Sequence, residues 1–458
     1  MSLVRSFADF VCGLDSETIP DEVMERARLC LLNGYGIGIG CHDTPYAPVA
    51  RRAAIAMDGE RPADSPLPSA TLLGDGRRTS VAGAILANAA LFHGRAQEDA
   101  SGAAHLGTEM IPLATAMIEA YGYPLDRLLS ALVAGYEIGG LLEEAHAVHT
   151  TPAGLRSSMV YGPIACAAMA ARLMALPADR TASAMALAAS ATGGNLQSFA
   201  DGTDEWRYQV GMVGRVGLVS AMLAAEGAIT APYAVEGKAG LIRSLARQEP
   251  DVEGLAGTLG RHWKIHRVAF KPFPVCAFNQ SPVTAALRLR DKLAGRPVAK
   301  VDVRMNPYET GYAGMDEKGP FSTISGTLMS IPFCIATALV RGVPSMRHMT
   351  TYDDPAVNDL VAKVELVTDA GVPTLSCILE ATLADGSTVV EDLRMTALDY
   401  AYDWDETSAL IRRIGAETGV PDAAYDRLEA FCRDLPAGDI ATVREAFAML
   451  DTLRAAAE

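Results

Sequence analysis

Between residues 80 and 240 the chain is a succession of alanine- and leucine-rich blocks, at 84–92, 110–121, 125–144, 162–175, 182–192 and 211–227, parted by proline, glycine and short polar clusters. This pattern constrains the fold more than any other feature. Each block is compatible with a helix, and the abundance of small side chains lets helices approach closely. Half of the 458 residues are hydrophobic and only 6% are aromatic, which suits packed helices rather than a β-sandwich. No fixed-period repeat is evident, so a solenoid is not expected. The length predicts two or three domains.

After Trp263 the texture changes. Residues 300–305 and 363–367 alternate like strands, and 377–393 reads as a β-hairpin turning at Asp385-Gly386. Between them, 327–341 is apolar and helical, and from Asp405 onward the pattern is helical again. The expectation is a mainly α protein. A large all-α domain comes from both chain ends (1–268 and 398–458), and a smaller α+β domain (269–397) is inserted. Near the N-terminus, Pro20, Asp21 and Glu22 fit a first helical turn in the 16–41 segment. The glycines of GYGIGIG that follow permit close helix approach and do not form a nucleotide loop. The Pro-, Asp- and Gly-rich stretch 58–78 reads as a surface connection, and GDGRRTS as a turn plus helix cap.

The formal net charge of -16 argues against nucleic acid and anionic membrane as partners, since both need a basic face. The eight cysteines are scattered in apolar runs without a CxxC, as expected of reduced thiols in a cytoplasmic protein. The N-terminus shows no secretory signal. No apolar run is read as long and clean enough to span a bilayer; ALVAGYEIGGLL is broken by Glu137.

One loop stands out against this apolar background. FHGRAQEDASGAAHLGTEMIPLA, residues 92–114, carries two histidines, an acidic pair and an arginine between two helical blocks. A helical enzyme can hold reactive groups still in such a place. Here the chain resembles the MmgE/PrpD family, which includes 2-methylcitrate dehydratase, cis-aconitate decarboxylase and iminodisuccinate epimerase. The resemblance runs from IPDEVMERARLCLLNGYGIGIG through NAALFHGRAQED, HLGTEMIPLATA, VAGYEIG, GTDEWRYQVGMVGRVG and KPFPVC to the ATALVRG helix. It implies an all-α domain, an α+β lid, a homodimer and a cofactor-free site between the domains. It also implies chemistry that starts by removing a proton beside a carboxylate.

The departures from the family pattern are specific. Ala96 and Ala100 stand where family enzymes carry an aspartate and a threonine, while Glu98 and Asp99 keep the next two acidic places. His105 matches the later loop histidine, Lys271 the lysine of the K-x-x-P-x-C motif, and Arg215 a family arginine. A second family histidine becomes Arg156, a lysine becomes Trp206 with Arg207 beside it, a downstream histidine becomes Gln280, and a lid tyrosine becomes Phe333.

The residue types bound what such a site can do. A neutral imidazole at His105 can take a proton, or simply satisfy a helix end. Lys271, between Phe270 and Phe273, is a base or acid if uncharged, a carboxylate holder if charged, or a snorkelling surface lysine. Arg156, Arg207 and Arg215 offer forks for a substrate carboxylate, although Arg215 also suits an internal ion pair and Arg207 a surface position. Adjacent Glu98 and Asp99 diverge on a helix, so one faces the cavity; either could replace the base missing at Ala96. Tyr161 and Tyr208 are weak candidates for the proton donor lost at Phe333. His93 reads as a packed helix-end residue. His262 and His266 have i, i+4 spacing without a third ligand, so no metal is expected.

Two readings follow. In the first, the chain is a cofactor-independent lyase, isomerase or epimerase acting on a small organic acid. In the second, it is a non-catalytic homologue that binds a small acid or serves assembly. A closed apolar pocket without converging cations would favour the second.

Overall fold

A computed structural model describes residues 2–15, 17–451 and 453. The protein is 58% helical and 9% strand, hence mainly α. The expected helical blocks are helices, most of them longer than their apolar stretches: Val81–Phe92, Leu106–Tyr121, Leu128–Thr150, Ser157–Leu173, Ala178–Ser190 and Glu205–Ala225. Polar ends extend them because capping and packing, not hydrophobicity alone, set where a helix stops. Residues 16, 452 and 454–458, which the expected first and last helical segments include, lie outside the described residues.

One hydrophobic core gathers side chains from Leu3 to Phe270 and again from Leu410 to Leu450. The small residues explain how it closes. A Cβ on Gly36 would stand 2.4 Å from Cγ2 of Ile411, and one on Gly40 would stand 2.5 Å from Cγ2 of Ile414. The GYGIGIG stretch therefore seats helix Asp21–Gly40 directly on helix Trp404–Thr418, joining the two ends of the chain.

A second core runs from Phe273 to Leu393 and takes in Ala96, Ala103, Leu196, Phe199 and Trp206 from the helical part. Its sheet has four strands in the order Val364–Thr368, Val298–Met305, Cys377–Leu383, Thr388–Leu393. The first pair is parallel and the others antiparallel. The hairpin turns where expected, with Gly386 at φ 81°. Helices Gln280–Leu293 and Ile331–Arg341 pack against the sheet. The apolar 327–341 stretch is split at Ser330, whose hydroxyl accepts from Phe333 N at 3.0 Å and starts a new helix.

Three features differ from expectation. The 58–78 connection ends in a small hairpin, Ser69–Thr71 against Arg78–Ser80, although Ser80 does cap the next helix. A two-residue pairing, Ala100–Ser101 with Val268–Ala269, joins the polar loop to the entry of the α+β unit. Finally, among the described residues helix Glu205–Ala225 is long and apolar enough to cross a membrane by length and composition, with half of that window buried. Its inward side carries buried Arg207 and glycines set against Leu86 and Cys166; Met212, Val219 and Leu223 stand about half exposed on the other.

Replacing Gly36 with valine should cost about 1–3 kcal/mol, because the added side chain overpacks against Ile411. A thermal melt followed by circular dichroism should show a clear drop in Tm; an unchanged Tm would mean the two helices are not pressed together here.

Candidate active site

The site is built on the pairing of Ala100 with Ala269 and Ser101 with Val268. Antiparallel register continued by two residues sets Glu98 opposite Lys271. Their side chains meet: Lys271 Nζ donates to Glu98 Oε1, and both residues are buried. Helix Leu128–Thr150 supports the loop from behind with one stripe of residues. Tyr136 OH donates to Asp99 Oδ2, Gly140 lies under Ser101, and Glu143 Oε1 accepts from Ala103 N at 2.8 Å. These positions are spaced i, i+4, i+7, as a single helix face requires.

The acidic pair diverges. Asp99 turns to the start of helix Leu106–Tyr121, where Oδ1 accepts from Gly107 N at 3.1 Å. Burial pushes its carboxyl up to about 6. Glu98 turns instead into a nest of bases, with His93 Nδ1 3.0 Å from Oε2, out of hydrogen-bond alignment, and His105 Nδ1 3.4 Å from Oε1. Burial alone would raise Glu98, but His93, Lys271 and His105 outweigh it and hold the carboxyl well below its usual range. Glu98 is therefore a fixed anion and a poor base.

The imidazole tautomers follow from their partners. His105 Nδ1 lies 2.9 Å from the Asp99 carbonyl oxygen, which can only accept, so Nδ1 carries the proton and Nε2 keeps its lone pair. Nε2 has no protein partner among the described residues, and the side chain is partly open to solvent, 15% exposed. Burial, then the Lys271 charge, hold His105 well below an ordinary histidine. It stays neutral and able to accept a proton. His93 is the reverse case. Arg156 Nη2 donates to its Nε2 at 2.8 Å, so its proton is on Nδ1, toward Glu98. Burial drives its pKa down to about 4.

The arginines do not form open forks. Arg156 donates through Nη1 to Trp206 O at 2.5 Å and to Gln209 Oε1 at 2.7 Å, besides its bond to His93. Arg207 is wholly buried, not superficial: it bonds Asp204 and Ser325 at 2.8 Å each and lies flat over Tyr46 and Trp206. Arg215 is half-buried on the same helix and makes no hydrogen bond or ion pair among the described residues. Arg156 and Arg207 thus serve packing and orientation, their hydrogen bonds going to protein oxygens and a ring nitrogen.

Tyr161 is also committed, its hydroxyl 2.9 Å from Thr150 Oγ1 in the helical core. Tyr208 sits half-buried on helix Glu205–Ala225, without a hydrogen-bond partner among the described residues. Gln280 is a clasp: its amide donates to Phe273 O and Val275 O and accepts from Phe273 N, holding the segment after Lys271 in its turn. Trp206 bonds Ser325 through its indole and sets its ring edge-on to His93 at 4.6 Å. Phe333 packs on Phe321 inside the α+β core.

Beside Lys271 a cavity of about 360 Å³ opens between helix Leu128–Thr150 and the α+β unit. Glu143, Arg267, Phe270, Phe278, Tyr308 and Tyr400 help to line it. Tyr308 donates to Thr151 Oγ1 at 3.0 Å and ties the two sides together. His93, Glu143 and Tyr308 were missed in the sequence. Only the first carried a signal, as the residue capping a helix five positions before Glu98.

A helical body joined to a small mixed sheet, with a carboxylate held among two imidazoles and an ammonium, is suited to moving protons. The comparisons agree with that class. Residues 5–253 match the MmgE/PrpD N-terminal domain and residues 273–399 the MmgE/PrpD C-terminal domain, so Lys271 falls in the joint between them. The chain belongs to the MmgE/PrpD family. It is 26% identical over 393 residues to a cis-aconitate decarboxylase-like protein, oryM, of Aspergillus oryzae, covering 80% of each chain. It is 26% identical over 410 residues to the cis-aconitate decarboxylase of Homo sapiens, covering 85% of this chain and 82% of that one. These relatives and the family place the protein among enzymes at the family level, with dehydratase- or decarboxylase-type lyase chemistry in general.

Removing one partner of a buried ion pair strands the other. Glu98→Ala should cost about 3–5 kcal/mol in a urea unfolding curve, and Glu98→Ala with Lys271→Met should recover much of it. Additive losses in the double variant would show that the pair is not the coupled unit described.

Proposed function

We propose that the protein is a cofactor-independent lyase or isomerase that removes a proton beside the carboxylate or carbonyl of a small organic acid. Dehydration and epimerisation begin with that step, and decarboxylation reaches the same kind of carbanion by losing carbon dioxide, after which a proton is added rather than removed. The reaction takes place between the helical domain, 1–268 with 398–458, and the α+β lid, 269–397. The observation that carries this reading is the free Nε2 of a neutral His105, fixed by the Asp99 carbonyl and standing beside Lys271 and Glu98. His105 takes the proton. Lys271, ion-paired with Glu98, faces the negative charge that develops on the substrate, and a cation fixed in a partly dry cleft lowers that barrier. Arg156 acts through His93, whose proton it directs toward Glu98. The eight cysteines, all free thiols, accord with a cytoplasmic setting.

The test is exchange with heavy water. The protein is incubated in D2O with citrate-like, aconitate-like and amino-dicarboxylic acids, and NMR follows loss of the proton beside the carboxylate. His105→Ala should slow exchange by about 100- to 10,000-fold. Because His105 is held well below 6.5, kcat/KM should stay level as pH falls through 6.5 and decline only at markedly lower pH. Exchange at wild-type rates in both His105→Ala and Lys271→Met would end this reading.

A second reading has an observation of its own. Lys271 is already matched by Glu98, and Arg156 and Arg207 are engaged by protein acceptors, as in a binding protein without turnover. Ligand binding with no exchange at any pH would favour it.

The half-exposed Met212, Val219 and Leu223 lie on one face of helix Glu205–Ala225, and a homodimer would cover them. Val219→Lys should then shift the protein toward the monomer mass in size-exclusion chromatography with light scattering. A monomeric wild type would dispose of the dimer.

A further inference from the structure

The carboxylates and cations that line the cavity beside Lys271 are Glu143, Glu144, Arg267 and Lys271, two acids and two bases. Both bases face protein carboxylates. Lys271 Nζ is held by Glu98, and Arg267 lies 3.9 Å from Glu143 and 3.4 Å from Glu144. Lys264 outside the cavity is likewise paired with Glu144 at 2.7 Å. Much of the remaining wall is apolar, with Ala147, Val148, Phe270, Phe278 and Leu375.

Such a wall can neutralise one negative charge, by sharing Lys271 between Glu98 and a ligand. For a second it has only Arg267, which Glu143 and Glu144 already flank, and for a third nothing. An uncompensated carboxylate in a largely apolar cavity costs several kcal/mol. Glu143 sharpens the distinction. It is 3% exposed, and burial pushes its carboxyl up to about 7. Near neutrality it is either a protonated acid, able to donate to a neutral oxygen, or an anion that repels a second carboxylate. Gly102, at φ 61°, leaves room for it: a Cβ there would stand 2.2 Å from Glu143 Oε1.

We propose that this cavity takes singly charged acids with an apolar body in preference to di- and tricarboxylates, and that Glu143 sets this preference. The proposal rests on the reading above that the substrate reacts beside Lys271, and takes the cavity that Lys271 lines as the place where the body of the acid lies.

Tiglate and mesaconate form a matched pair of probes, since the second replaces one methyl group of the first by a carboxylate. Their dissociation constants are measured by calorimetry on the full chain, with cis-aconitate as a third ligand. Wild-type protein should bind tiglate at least 10-fold more tightly than mesaconate or cis-aconitate. Glu143→Gln, shown to be folded by its thermal melt, should narrow the tiglate-to-mesaconate ratio several-fold, mainly through tighter mesaconate binding. Lys271→Met should weaken tiglate. Mesaconate or cis-aconitate binding as tightly as tiglate in the wild type would overturn the proposal. So would an unchanged ratio in Glu143→Gln, or binding of none of the three. The heavy-water experiment separates this outcome from the fate of the reaction. Exchange that favours cis-aconitate sinks the charge preference and leaves the chemistry, whereas tiglate binding without exchange in any acid does the opposite.

Discussion

The antiparallel pairing of Ala100 with Ala269 and Ser101 with Val268 is only two residues long, yet the site depends on it. It carries Lys271, at the entry to the α+β unit, to Glu98, in the loop between two helices of the body. Without it an ammonium and a carboxylate would each be buried alone, which a protein interior does not tolerate. With it, the Glu98 carboxylate becomes the centre to which His93, His105 and Lys271 all turn. The backbone thus brings the charges together, and the charges in turn fix the protonation of the imidazoles. Because the pairing joins the two cores, any relative motion of the α+β unit would be felt at Glu98.

Much of the architecture could be read from the residues. The helical blocks, the change after Trp263 and the Asp385-Gly386 hairpin are local patterns, and local patterns survive folding. The GYGIGIG stretch also meant what its composition implied, close approach, although the partner helix lies nearly 400 residues away in sequence. What could not be read was which polar side chains meet. The pairing that makes the site has no composition signal at all. Glu98 and Asp99 are chemically alike and adjacent, and only the fold shows one among the bases and the other capping helix Leu106–Tyr121. The arginines mislead for a related reason. A guanidinium in a sequence looks like an anion clamp, but here the Trp206 carbonyl and the Ser325 hydroxyl engage Arg156 and Arg207 before a substrate arrives.

These engaged arginines bear on the departures that the family resemblance implies, a histidine expected at Arg156 and a lysine at Trp206. Arg156 replaces a group that titrates with one that does not, and its hydrogen bonds go to Trp206 O, Gln209 and His93. Trp206 fills the place of a mobile ammonium with a flat apolar ring that closes over His93. Together they exchange two groups that could meet a polyanion for a rigid support behind one imidazole. The support also disfavours charge on His93, since Arg156 already occupies its acceptor nitrogen.

The balance of the site then turns on where negative charge is welcome. Glu98 already carries one charge against Lys271, so an anion entering beside Lys271 competes with a carboxylate that cannot leave. Competition of this kind weakens binding of the ground-state acid more than of a species in which charge has moved onto an oxygen beside Lys271. Differential stabilisation of that sort is what accelerates a reaction, since interactions shared equally by substrate and transition state do not. On the proposed reading a neutral His105, held so by burial and by the same lysine, would take the proton as that charge develops. Lys271 would then act on both sides of the transfer, disfavouring charge on the base and facing the negative charge that gathers on the substrate oxygen.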